Sequence, residues 1–158
     1  MLRDRVLRGV WIGLVAAAAT AGALVGFGWV RGAPLQPLNT VAHVLVGSRA
    51  FYVHDANPLV TSAGLLVHVA SLVVAGIVFS VLAGRLRGVW RWVAAVVFAA
   101  AVAAFDFLLL PSRLAPGFET VLTRGEVVMV YAVLAAAIAV AAEMVRANEE
   151  RGVRSEQV

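Results

Sequence analysis

The chain has 158 residues, of which 62% are hydrophobic and 14% charged, with a mean hydropathy of +0.92 and a formal net charge of +4. Such a composition excludes an ordinary water-soluble domain, and an all-α membrane protein is the class that fits it. The absence of cysteine excludes disulfides, thiolate catalysis and iron–sulfur ligation.

Four uncharged or nearly uncharged stretches, cores at residues 10–30, 59–84, 92–110 and 127–142, match the roughly 20 apolar residues that a spanning helix needs. With their flanks the expected spans are about 10–30, 59–84, 90–110 and 122–143, within a single integral membrane domain covering 1–158. Met1 to Arg8 is basic and resembles the start of a signal peptide. The apolar run that follows is too long for a signal h-region of about 7–15 residues, so an uncleaved span is expected. Trp11 and Trp29 lie about 27 Å apart along a helix, the separation of two interfacial aromatic belts. Ala18, Gly22 and Gly26 place small residues on one face at four-residue spacing. Close packing inside the bundle is the expected use of that face, and homo-oligomerisation or docking of a membrane protein partner is the alternative.

The connection from Arg31 to Pro58 carries a moderately apolar segment, residues 38–53, too short and too polar to span. Asn39, His43 and Gly47 recur at four-residue spacing on one helical face, which points to a short interfacial helix in the first outer loop. Asn57-Pro58 then starts the second span. Within it His68 lies about 14 Å below the outer end, counted at 1.5 Å per residue. Arg85, Arg87 and Arg91 join the second span to the third, and Trp90 and Trp92 mark the interface beside them. Asp106 sits four residues before Pro111, Arg113 and Glu119 follow in the second outer connection, and Glu126 opens the fourth span. The tail 144–158 mixes Glu149, Glu150 and Glu156 with arginines, the pattern of a frayed, solvated helix end continuing from Glu143.

The thirteen arginines, with no lysine, set the orientation. Nine (Arg3, Arg5, Arg8, Arg85, Arg87, Arg91, Arg146, Arg151, Arg154) fall on the side of the termini and four (Arg31, Arg49, Arg113, Arg124) on the other. The positive-inside rule then puts both termini in the cytoplasm. It also accounts for the arginines without nucleic acid, whose recognition calls for a basic stripe with aromatic or polar readers on an exposed fold.

Ionisable groups at membrane depth face the bundle interior and are candidate site residues. Asn39, His43, His68, Asp106, Arg113, Glu119 and Glu126 form the candidate polar cluster, all in the outer half. Each also has a structural reading. Asp106 could pair with Arg113 or Arg124, His68 could donate to Ser71, Asp106 or a carbonyl, and Asn39 and His43 could pin the interfacial segment. Two histidines and a carboxylate, His43, His68 and Asp106, are candidate ligands for a divalent metal, and the two histidines for a haem. A His68–Asp106 pair could relay protons. No cofactor is firmly implied. No nucleophile elbow, HExxH helix or phosphate loop is present, so no catalytic residue is assigned and a non-enzymatic protein is expected.

Three segments carry a resemblance: Pro37-Leu38-Asn39-Thr40-Val41-Ala42-His43 to Gly47, then Val67-His68-Val69-Ala70-Ser71, then Phe105-Asp106 through Pro111-Ser112-Arg113 to Glu119. Together they resemble small four-helix bacterial inner-membrane proteins of unknown function, some of which carry a sodium/proline symporter label that their size does not support. The resemblance implies a bacterial cytoplasmic membrane and a shared set of polar positions, Asn39, His43, His68, Asp106, Arg113 and Glu119, and no particular activity. Val67 stands where the family has a further histidine. The expected role is a membrane module or accessory subunit with a periplasmic-side polar cluster; the alternative is proton- or metal-linked transport or sensing through His68 and Asp106.

Overall fold

The five prolines, at 34, 37, 58, 111 and 116, all lie between the long apolar runs or in the first turn of a helix, so nothing breaks those runs internally. The computed structural model describes residues 2–155, and all the regular structure among them is helical. α1 covers Leu2–Val30, α2 Gln36–Val41, α3 His43–Val46, α4 Pro58–Ala83, α5 Val89–Ala104 and α6 Arg124–Ser155. Single 3-10 turns follow at Ser48–Tyr52 and Phe118–Thr120, and α5 runs into a π turn at Phe105–Leu109. Four helices, Leu2–Val30, Pro58–Ala83, Val89–Leu109 and Arg124–Asn148, are long and apolar enough to cross a membrane.

Two helices run past the expected spans: α1 begins at Leu2, ahead of the span expected from about 10, and α6 continues beyond 143 to Ser155, along the tail read as a helix end. Both extensions consist largely of Arg, Glu, Ala and Leu, which favour helix even where their charges exclude them from lipid. Glu156 and the side chains of Glu149, Glu150 and Arg154 lie outside what the structure describes.

The four long helices pack in the order α4, α1, α6, α5. α4 and α5 are joined by the short turn 84–88 yet touch little beyond the Phe79–Phe98 ring pair, which leaves an open seam along the rest of their length. The start of α1, the 84–88 turn and the last part of α6 share one end of the bundle, the terminal end. The two longer connections close the other, the loop end. Core side chains at the terminal half include Ile12, Ala16, Phe79, Ala95, Leu134 and Ile138. Leu24, Leu38, Phe118, Leu122 and Val130 fill the loop half.

α1 and α4 meet backbone to backbone. A Cβ added at Gly9 or Gly13 would collide with the α4 main chain at Ile77, Leu72 and Val73, and one at Gly76 with the main chain of Gly9 and Gly13. The small-residue face expected to pack, Ala18–Gly22–Gly26, is instead exposed, and nothing lies within 4 Å of a Cβ at Gly22 or Gly26. Sequence spacing alone favours the Ala18–Gly22–Gly26 face of α1. What selects Gly9 and Gly13 is the matching gap at Gly76 on α4, and that match is a property of two helices together.

The segment 38–53, expected as one helix, is broken into α2, α3 and the 3-10 turn. The last break falls at Gly47, whose φ of +77° ends α3. Residues 37–43 are all buried, with α2 lying on α4 where Gly64 admits the Leu38 carbonyl. Gly64 and Gly76, which look scattered in the sequence, are thus the two points where α4 accepts another backbone.

Arg91 also departs from expectation. It lies inside α5 at 3% exposure, with Nε and Nη2 donating to the Leu86 carbonyl at 3.1 and 2.8 Å. Nη1 donates to the Ala142 carbonyl at 3.3 Å and pairs with Glu143 at 2.8 Å. Its fork therefore ties the 84–88 turn and α5 to α6, a role that the three-donor ammonium of lysine could not fill with the same geometry.

The glycine contact gives a direct comparison. Gly76→Val is expected to destabilise the protein by about 2 kcal/mol or more, through overpacking against backbone that cannot yield, whereas Gly22→Val is expected to be near neutral. Thermal unfolding in mild detergent, followed by tryptophan fluorescence, measures both.

Candidate functional site

Asn39 is fully buried, and its amide uses both N–H donors and one acceptor direction. Nδ2 donates to the carbonyls of Val53 and Asp55, both at 3.0 Å, and Oδ1 accepts from the Thr61 hydroxyl at 2.8 Å. Thr61 in turn accepts from the Asn57 backbone N–H, while Asn57 Oδ1 caps α4 by accepting from the Val60 N–H at 3.1 Å. One amide thereby holds α2, the end of the first connection and the start of α4.

His43 closes the cap from the other side. Nδ1 donates to the Thr40 carbonyl at 2.8 Å, and Nε2 lies 3.3 Å from the Ser112 carbonyl in the second connection. A neutral ring carries one N–H, which the shorter contact assigns to Nδ1. Phe51 covers the ring at 4.8 Å between centroids. Gly117, with φ +86°, lets the second connection pass over it, since a Cβ there would sit 2.8 Å from Nδ1.

His68, also buried, points its Nε2 at Thr20 Oγ1, 3.0 Å away, and at the Ala17 carbonyl, 3.3 Å away. The Thr20 hydroxyl donates to the Ala16 carbonyl at 2.8 Å, so it accepts from His68, and the ring proton sits on Nε2. Nδ1 makes no hydrogen bond among the described residues. The partner is thus a hydroxyl and a carbonyl of α1, not Ser71 or Asp106.

Asp106 occupies the π turn that ends the third long helix. Its partner is Tyr131 of α6, whose hydroxyl donates to Oδ2 at 2.7 Å, and Phe107 packs edge-on against the same ring. The expected pairing with Arg113 or Arg124 is not formed: both arginines are exposed and neither makes a hydrogen bond or ion pair among the described residues. Glu119 lies within electrostatic reach of Asp106 and Tyr131, and its Oε2 is buried without a hydrogen-bond partner.

Glu126 performs two tasks at the loop end. Its carboxylate grips the Arg31 guanidinium at the end of α1 through both oxygens, Oε1 at 2.6 Å from Nη1, and raises the arginine's pKa above its ordinary value. The same carboxylate accepts from the Thr123 N–H and hydroxyl at 2.8 and 2.7 Å, completing a Thr-x-x-Glu capping box.

The candidate residues therefore do not form a single cluster. Asn39 and His43 belong to the cap, Glu126 to the α1–α6 contact, and Arg113 stands apart. Glu119 lies within electrostatic reach of Asp106, and of the candidates His68 and Asp106 line one cavity. It measures about 740 Å³ and lies in the α4–α5 seam, lined also by Ser71 and Tyr131, under a roof that includes Leu114, Pro116 and Phe118. Among the described residues no three His, Asp or Glu side chains meet in an arrangement that could hold a metal ion. The candidate metal ligands His43, His68 and Asp106 are engaged separately, His43 in the cap, His68 with α1 and Asp106 with Tyr131.

Sequence reading missed Thr20, Thr61 and Tyr131, which are the partners of three candidates. The available signal is their isolation: Thr20 is the one hydroxyl residue in the first apolar run and Tyr131 the one aromatic in the fourth.

Comparison of the chain with protein-family models, with curated proteins and with solved structures finds no match. Fold and site together define a class, an all-helical protein with four helices long and apolar enough to span a membrane.

The amide at 39 is readily tested. Asn39→Ala is expected to cost about 2–4 kcal/mol, since two carbonyls and a hydroxyl lose their partner. Asn39→Asp is expected to cost at least as much, because it sets a carboxylate oxygen against the Val53 and Asp55 carbonyls. Thermal unfolding of the two variants in detergent gives the order.

Proposed function

We propose that the protein is a multi-pass protein of the bacterial cytoplasmic membrane, similar to small four-helix inner-membrane proteins, with both termini cytoplasmic. Its role is that of a non-enzymatic membrane module or accessory subunit. The nine-to-four arginine bias supports the orientation, and the capped loop end then faces the periplasm, with α2 and α3 at the interface.

One observation carries the functional reading. Each candidate polar residue with a partner uses it to join two different segments: Asn39 joins α2 to α4, His43 the first connection to the second, His68 α4 to α1, Asp106 the π turn to α6, and Glu126 α6 to α1. Five ties spread over five junctions are what a fold needs, and chemistry on one substrate would call for convergence. The partner surface of such a module, a second copy or another membrane protein, then lies on its exposed helix faces.

A second reading, proton- or metal-linked transport or sensing, has its own support, because His68 and Asp106 line the same cavity and His68 Nδ1 makes no hydrogen bond among the described residues. The two readings separate on paired measurements. For a structural set, His68→Ala and Asp106→Asn each lower stability by about 1–2 kcal/mol and leave proton flux in proteoliposomes at the wild-type value. Unchanged stability with altered flux would make the pair functional.

A further inference from the structure

At the terminal end, the inner mouth of the α4–α5 seam widens into a second cavity of about 650 Å³. Five arginines from four elements line it: Arg8 of α1, Arg85 and Arg87 of the turn, Arg91 of α5 and Arg146 of α6. Among the described residues no acidic side chain lines it, although Arg8 and Arg146 have partners of their own, Asp4 lying within electrostatic reach of Arg8. Arg91 is committed to Leu86, Ala142 and Glu143, so it builds the wall. Arg85 and Arg87 are exposed and make no hydrogen bond or ion pair among the described residues. The rest of the lining is mostly apolar, including Ile12, Phe79, Ala83 and Val145, with Ser80 among them donating its hydroxyl to the Arg5 carbonyl.

A general excess of arginine at one end explains orientation, but not its convergence from four elements on one concavity with an apolar floor. Guanidinium forks match phosphate oxygens, and basic pockets between spanning helices on the cytoplasmic side suit anionic headgroups. The apolar floor calls for a ligand that is itself amphipathic; a free phosphate would leave it uncovered. Trp90 and Trp92, exposed at the start of α5, place the cavity at headgroup level.

We propose that this cavity binds the phosphodiester headgroup of an anionic phospholipid, with Arg85 and Arg87 on the phosphate oxygens and the first carbons of the lipid against Phe79, Ala83 and Val145. The inference rests on the reading that the four helices cross a bilayer. Its test is native mass spectrometry of the full chain in mild detergent, titrated with phosphatidylglycerol, with phosphatidylcholine, and with phosphatidylglycerol in the presence of millimolar inorganic phosphate. Phosphatidylglycerol is expected to bind at least about tenfold tighter than phosphatidylcholine. The exposed-turn double variant Arg85→Gln/Arg87→Gln is expected to lose that preference. The charge-matched Arg49→Gln/Arg113→Gln, at the loop end, is expected to keep it, and phosphate is expected not to compete. Equal affinity for the two lipids, equal loss in both double variants, or displacement by inorganic phosphate, which would make the site one for free phosphate, each overturns the proposal. Carbonate extraction of the same membranes reports the bilayer reading separately: a resistant protein without lipid preference defeats this inference alone.

Discussion

The backbone contact between α1 and α4 is the constraint on which the other placements depend. With no side chain at Gly9, Gly13 or Gly76, the two main chains approach closely enough to exchange dispersion contacts along much of their length. That approach brings Thr20 within 3.0 Å of His68 and the Ser80 hydroxyl within 2.9 Å of the Arg5 carbonyl. With α4 fixed on one side of α1 and α6 on the other, α5 reaches the bundle through α6. The α4–α5 seam is left as the space where both cavities form.

Large apolar side chains cover the outside as well as the core. Trp11, Trp29, Leu66, Val74, Leu82 and Val97 are all substantially exposed. In a hydrocarbon solvent these gain nothing by turning inward, so apolar burial cannot specify which helix meets which. Specification passes to shape, at the glycines, and to polar pairs, which find no water partner to compete. Asn39, Thr20–His68, Tyr131–Asp106, Arg31–Glu126 and Arg91–Glu143 each mark a junction that an aliphatic surface would leave degenerate.

Much of this is legible in the sequence, for definable reasons. Spans are read from uninterrupted apolar runs because the backbone must satisfy itself locally in lipid, and the four helices follow. The polar candidates are legible one by one, since each is costly where it stands. Their partners are not, because Thr20 and Tyr131 come from distant parts of the chain and resemble ordinary helix residues. Asp106 illustrates the limit: charge complementarity points to Arg113 or Arg124, whereas the π turn aims the carboxylate at Tyr131. Arg91 shows the same limit at the other end. Its place among the basic residues of the 84–88 turn and its flank is plain in the sequence, while its burial depends on where α6 passes. The glycine faces show it once more, since Ala18, Gly22 and Gly26 have the better spacing and Gly9 and Gly13 have the partner.

The proposed placement puts these four helices in hydrocarbon, with the capped loop end outside and the arginine-rich end inside. Because the chain contains no cysteine, single cysteines can report this without background. Ala56→Cys, in the exposed connection before α4, and Ala147→Cys, on the exposed late part of α6, would be treated with a membrane-impermeant maleimide in spheroplasts of a bacterial host. Labelling at position 56 in intact spheroplasts, with labelling at 147 only after lysis, is the expected result. Labelling of both positions in intact spheroplasts, or of 147 alone, would contradict the placement of these helices across the membrane with both termini inside.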